Sequence, residues 1–101
     1  MFNRIILILM ITGFINAQNE QKVVLITGTA YGIGKSTAEL LIDKGHIVYG
    51  GDILIEENLY LNDIGGTALK MDVTNQNHID NAVKRIITEQ GRIDVLVNNA
   101  G

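Results

Sequence analysis

Lys22–Thr27 (KVVLIT) is an unbroken apolar run rich in β-branched residues, and glycines at 28, 32 and 34 follow it at once. A short strand with no polar alternation is covered on both faces, which places it in the interior of a parallel sheet. After the glycines comes a helical pattern, with Ala38, Leu41 and Ile42 on one face and Glu39 and Asp43 away from it. Gly45 is placed to end that helix. His46–Gly51 (HIVYGG) reads as a second strand, Ile53–Leu61 as weakly helical, Asp63–Gly66 as a turn and Thr67–Met71 as a third strand. Asn75–Gln90 is the clearest helix: Ile79, Ala82, Val83, Ile86 and Ile87 recur at i, i+3, i+4, i+7 and i+8. Thr74 is the expected N-cap and Gly91 the stop. Ile93–Val97 (IDVLV) is a fourth strand, running into Asn98-Asn99-Ala100-Gly101.

Strands separated by helical crossovers must be parallel, and right-handed crossovers leave few topologies. The expected fold is α/β: one wing of a doubly wound parallel sheet, about four strands in the spatial order 3-2-1-4 with flanking helices. A chain of 101 residues allows one domain at most. With 47% hydrophobic residues and a formal net charge of −3, a folded chain rather than a disordered one is expected. Zero cysteines exclude a disulfide framework, a thiolate metal site and a cysteine nucleophile. A pI of 5.2 with scattered Lys and Arg gives no footprint for nucleic acid.

Residues 1–20 stand apart from 21–101. Arg4 is followed by an apolar run from Ile5 to Ile15, then by the small or polar Asn16, Ala17, Gln18, Asn19 and Glu20. This matches a signal-like leader with cleavage after Ala17 and implies export or membrane association through residues 1–17. The run is too short to span the bilayer as a helix, which takes about 20 residues. The alternative is a buried or capping segment of a cytoplasmic domain.

In the expected topology, ligands sit beyond the carboxyl ends of the strands, beside the first one. The loop Thr27–Gly34 lies there and opens a helix, whose free N–H groups and dipole attract an anion. The alternative is a tight strand–helix turn that holds nothing. A phosphate-binding G-x-x-x-x-G-K-[ST] loop is not met: Gly34-Lys35-Ser36 supplies its end, but Gly28 is one residue too early. The strict G-x-G-x-x-G fails because position 30 is Ala; G-x-x-x-G-x-G fits. Asp52, at the end of the second strand, stands about 20 residues on, where an acid accepts the ribose hydroxyls of an adenosine. An acid there repels a 2′-phosphate, and neither Tyr31 nor Ile53 offers a basic group to bind one. The cofactor expected is NAD rather than NADP.

The loop Thr27–Gly34 as T-G-x-x-x-G-I-G, Asp72-Val73 after the third strand and N-N-A-G at 98–101 together resemble the short-chain dehydrogenase/reductase family, over everything but the leader. The resemblance implies the N-terminal part of a Rossmann domain and NAD(P)-dependent oxidation of an alcohol or reduction of a carbonyl, the substrate a small molecule. It implies that Gly28, Tyr31, Gly32, Ile33 and Gly34 cradle the pyrophosphate and approach the nicotinamide, with Thr29 in the same cofactor-binding loop. Asp52 holds the adenosine ribose, Asp72 and Val73 the adenine, and Asn99 with Ala100 the nicotinamide-side ribose. Asn98 ties neighbouring strands together.

The family's catalytic Ser and its Tyr-x-x-x-Lys pair lie beyond N-N-A-G, so the chain reads as a fragment holding the cofactor site without catalytic residues, and no metal ligands are expected. A non-catalytic dinucleotide-binding module is the alternative. Tyr31 and Lys35 spell Y-x-x-x-K, but in the glycine loop they stand by the phosphates rather than the hydride. His46 and His78 read as solvated. The resemblance implies a homo-oligomer for the full-length enzyme through later helices, and an exposed apolar edge near Val95–Val97 for this piece.

Overall fold

β1 (Val23–Thr27) is buried at every position. It lies inside the sheet and divides the interior in two, because successive side chains of a strand point to opposite faces. Val23 and Leu25 join Tyr49, Leu69, Met71, Ala82 and Ile86 in one core. Val24 and Ile26 join Ala38, Val48 and Leu61 in the other. The computed structural model describes residues 20–100. The leader expected over 1–20 therefore lies outside the described residues but for Glu20, as does Gly101.

The chain continues through α1 (Gly32–Asp43), β2 (Ile47–Asp52), α2 (Ile55–Asn58), α3 (Tyr60–Asp63), β3 (Thr67–Lys70), α4 (Gln76–Gln90) and β4 (Val95–Asn98). The sheet has the order β3-β2-β1-β4, as expected, and every pairing is parallel. At the carboxyl end of β1, Thr27 stands between Gly51 of β2 and Asn98 of β4.

α1 ends where the glycine pattern predicts. The Gly45 N–H donates to Ile42 C=O at 2.9 Å and the His46 N–H to Leu41 C=O at 3.0 Å, the paired bonds that close a helix end. The weak pattern over 53–61 resolves into two one-turn helices, α2 and α3. The Asn58 N–H donates to Leu54 C=O at 3.1 Å to close α2, and i→i+3 bonds from Leu59 N–H to Glu56 C=O at 3.3 Å and from Asn62 N–H to Leu59 C=O at 3.0 Å carry the chain between the two turns.

The N-cap of α4 is Asn75, not Thr74. Asn75 Oδ1 accepts from the N–H groups of Asn77 and His78, whereas the Thr74 hydroxyl donates to Asp72 Oδ1 at 2.6 Å. Of the five apolar residues in the α4 repeat only Ala82 and Ile86 are buried; Val83 and Ile87 remain 38% and 44% exposed. A polar clamp fastens this helix to β2: the buried Tyr49 hydroxyl donates to Glu89 Oε1 at 2.6 Å and accepts from Gln90 Nε2 at 3.1 Å. Burial pushes that hydroxyl's pKa up, and the bond to Glu89 adds to it.

β4 begins two residues later than the apolar run suggests. Asp94 pairs with β1 by side chain as well as main chain: its Oδ2 accepts from Val23 N–H at 2.7 Å, and its N–H donates to Val23 C=O at 2.8 Å. The Val23 N–H and the Arg92 guanidinium hold the Asp94 carboxyl below the usual carboxylate range. Hydrogen bonds from Thr74 do the same for Asp72. A carboxylate depressed in the fold adds stability above its unfolded pKa of about 3.9 and loses it as pH falls through the lower folded value. The urea midpoint of the wild type is therefore expected to drop between pH 5 and pH 3, and Asp94→Asn to show a smaller drop. Equal drops would remove Asp94 from the account. Among the described residues β4 is an outer strand, with Leu96 62% exposed.

Candidate functional site

The carboxyl ends of β1, β2 and β3, with the segment after β4, enclose a cavity. Gly28, Asp52, Asp72, Val73 and Ala100 line it, together with Ile53 and Met71. Residues far apart in sequence meet there because parallel strands put all their strand-to-helix loops at one end.

The glycine loop is drawn tight against the sheet. The Gly28 N–H donates to Gly51 C=O at 2.7 Å, and Gly28 adopts φ +79°, a conformation that favours glycine. A Cβ there would stand 2.8 Å from Asn99 Nδ2 and 3.1 Å from the Ala100 nitrogen. Gly34, in the first turn of α1, is buried; a Cβ on it would collide with the Gly28 carbonyl and come within 2.6 Å of Asn99 Nδ2. Gly32 faces open space, and Tyr31 and Ile33 are 60% and 78% exposed. No side chain caps α1 and no acid stands in its first turn. Such an end keeps its leading N–H groups free for an anion, so the loop and α1 suit a phosphate-bearing ligand.

Asp52 faces this loop. Its Oδ2 accepts from Ala30 N–H at 3.0 Å and its Oδ1 from Leu54 N–H at 2.9 Å. A carboxylate oxygen takes two hydrogen bonds, so each keeps one place for a ligand hydroxyl. Asp72 spends Oδ1 on Thr74, and its own N–H donates to His78 Nδ1 at 3.0 Å. His78 is thus half-buried and bonded rather than solvated. The same holds for His46, whose Nδ1 accepts from Lys22 N–H at 3.0 Å. Both rings accept a backbone N–H at a strand end, which a polar helix-face pattern does not reveal.

One hydroxyl gathers three hydrogen bonds from the end of β4 and the segment after it. Thr27 Oγ1 donates to Asn98 Oδ1 at 3.2 Å and accepts from Asn99 N–H at 3.1 Å and Ala100 N–H at 3.0 Å. Asn99 Nδ2 donates to the Gly28 carbonyl at 3.1 Å, joining this segment to the glycine loop. Asn98 does bridge two strands, as read from sequence. Thr27, Ile53 and Met71 were not singled out as site residues; the position of Thr27 directly before the first glycine is the one signal that could have done so.

Thr29 departs from expectation. Its side chain is 0% exposed and its hydroxyl donates to Asn58 Oδ1 at 2.6 Å, so it points behind the loop and not into the cavity. In the Y-x-x-x-K spelling, Lys35 Nζ is engaged elsewhere, 4.6 Å over the ring of Tyr60. Among the described residues no group of three or more His, Cys, Asp or Glu is placed to hold a metal ion.

A four-stranded parallel sheet with its glycine loop at the switch point, an uncapped helix N-terminus and a carboxylate on the next strand define a Rossmann-type α/β domain. The chain belongs to the short chain dehydrogenase family, whose family model matches residues 22–101. It is 48% identical over 83 residues to a 3-ketodihydrosphingosine reductase of Bacteroides thetaiotaomicron, covering 81% of this chain and 29% of the relative. It is 45% identical over 89 residues to the 3-oxoacyl-[acyl-carrier-protein] reductase FabG of Thermotoga maritima, covering 81% of this chain and 36% of the relative. Among solved structures it resembles a 3-ketoacyl-(acyl-carrier-protein) reductase from Brucella melitensis complexed with NADH. The TM-score is 0.72 at 29% identity, covering 76% of this chain and 33% of that one. The chain thus spans about a third of the length of the relatives it matches.

These findings correct the expected export or membrane association through residues 1–17. The relatives are reductases matched over 81% of the chain, and no helix among the described residues is long and apolar enough to cross a membrane. The apolar run of the leader was by itself too little to assign a location.

Proposed function

We propose that this chain carries the cofactor-holding part of an NAD(P)-dependent oxidoreductase that oxidises an alcohol or reduces a carbonyl in a small molecule. The observation that carries the reading is the convergence of Gly28, Asp52, Asp72, Val73 and Ala100 on one cavity beside the uncapped start of α1. Gly32 leaves room for a pyrophosphate, Gly28 and Gly34 let the loop close against Asn99 and α1, and the first N–H groups of α1 take the pyrophosphate's charge. Asp52 offers its two remaining acceptor places to the adenosine ribose. Val73 and Ile53 give the adenine an apolar slot, while the Asp72 side chain stays fixed by Thr74. Asn99 and Ala100 stand on the nicotinamide side. A nicotinamide held there would accept the hydride in alcohol oxidation or supply it in carbonyl reduction, while the protein supplies position and charge.

The same proposal includes a preference for NAD over NADP. The loop after Asp52 is Ile53-Leu54, with no cation to meet a 2′-phosphate, and the Asp52 carboxylate repels one. Titration followed by cofactor fluorescence is expected to show saturable NADH binding, with NADPH weaker by about tenfold or more. Equal affinity for the two would sink the preference. Failure to bind either would sink the proposal.

A further inference from the structure

We infer that Tyr60 and Asn58, on the crossover between β2 and β3, are positioning residues that clamp the Thr29–Ala30 peptide from behind and through it aim Asp52 at the ligand. The inference rests on the dinucleotide reading above and names residues that no sequence motif marks.

The peptide unit is rigid and planar, so fixing one of its polar atoms fixes the other. Its carbonyl, on Thr29, accepts from the Tyr60 hydroxyl at 2.6 Å. Its N–H, on Ala30, donates to Asp52 Oδ2 at 3.0 Å. Tyr60, peptide and Asp52 thus form a chain of hydrogen bonds in which each bond polarises the next. Asn58 secures the same residue by its side chain. Its Oδ1 accepts from Thr29 Oγ1 at 2.6 Å, while its Nδ2 donates to Gly50 C=O at 2.8 Å.

Asn58 and Thr29 are both 0% exposed, so an apolar residue at 58 would fill the space and leave two polar groups unpaired. The Tyr60 ring is gripped from the other side by Lys35 of α1, at 4.6 Å. Burial, with Glu39 and Asp52 nearby, pushes the Tyr60 hydroxyl up to about 12, which keeps it a donor across the working pH range. Neither Asn58 nor Tyr60 lines the cavity. They act on it only through the loop.

Tyr60→Phe keeps the ring and its contact with Lys35 and removes one hydroxyl. In the full chain without cofactor, amide hydrogen exchange at Ala30 is expected to quicken by about tenfold, with Leu25 and Ile26 in β1 unchanged. The NADH dissociation constant is expected to rise about tenfold while that of NADPH holds, because a loosened Asp52 both binds ribose and repels phosphate less well. Thr29→Val is expected to act in the same direction and Thr29→Ser to restore wild-type values. Unchanged exchange at Ala30 in Tyr60→Phe would overturn the inference, and so would an equal shift for NADH and NADPH, the mark of a merely structural loss. The exchange measurement needs no cofactor, so it decides the clamp even where the wild type binds no dinucleotide and the functional proposal itself fails.

Discussion

Gly34→Ala is expected to abolish saturable NADH binding and to lower the melting midpoint by roughly 10 °C or more. Overpacking costs about 1–3 kcal/mol, and each kcal/mol shifts Tm by about 4–8 °C in a domain of this size. The upper end applies here because the added methyl meets backbone: it would strike the Gly28 carbonyl and press on Asn99 Nδ2. A flexible side chain could move aside, but Gly28 is fixed by its bond to Gly51, and Asn99 by its bond to Gly28. Relief would therefore push α1 away from the loop and undo the site that depends on their contact. A calorimetric scan of the variant beside the wild type reads the first effect, and a fluorescence titration reads the second. An unchanged melt would mean that the helix start is far more yielding than its contacts imply.

Asp52→Ala is expected to weaken NADH binding by between about tenfold and a hundredfold. Hydrogen bonds to a charged group are worth about 1.5–3 kcal/mol, and each 1.4 kcal/mol is tenfold in affinity. The substitution removes more than a ribose acceptor, because the N–H groups of Ala30 and Leu54 lose their partner as well. Asp52→Asn separates the two contributions. It keeps one acceptor oxygen and loses the charge, so it is expected to retain part of the NADH affinity while the discrimination against NADPH narrows. Unaltered NADH affinity in Asp52→Ala would remove this carboxylate from the ribose site and leave it only the loop to hold.

The sheet order and the place of the site were legible because they follow from patterns that reach across the whole chain. An unbroken apolar run such as Val23–Ile26 demands cover on both faces, and alternating crossovers then leave little choice of topology. Gly28, Gly34 and Asp52 were legible for a similar reason: their residue types answer to a backbone conformation or a charge at a strand end, whereas Asp72 was legible only through the family resemblance. What escaped depends on three-dimensional partners. Asn58 looks like a surface polar residue, yet the collapse of the 53–61 pattern into two single turns carries it inward to the Gly50 carbonyl and Thr29. Thr29 reads as part of a ligand loop, but the left-handed turn at Gly28 directs its side chain into the protein. Thr74 and Asn75 are equally good caps on paper. The choice between them was made by Asp72, which takes the Thr74 hydroxyl.

The hydroxyl of Thr27 has a bearing on the thermodynamics of ligand capture. It donates once and accepts twice, and both amides of the Asn99–Ala100 segment converge on it. That wall of the cavity is consequently preorganised: it takes its shape when β1 and β4 pair, before any ligand arrives. A ligand meeting it need not freeze a wandering segment, so the entropic cost of ordering that wall has already been met during folding.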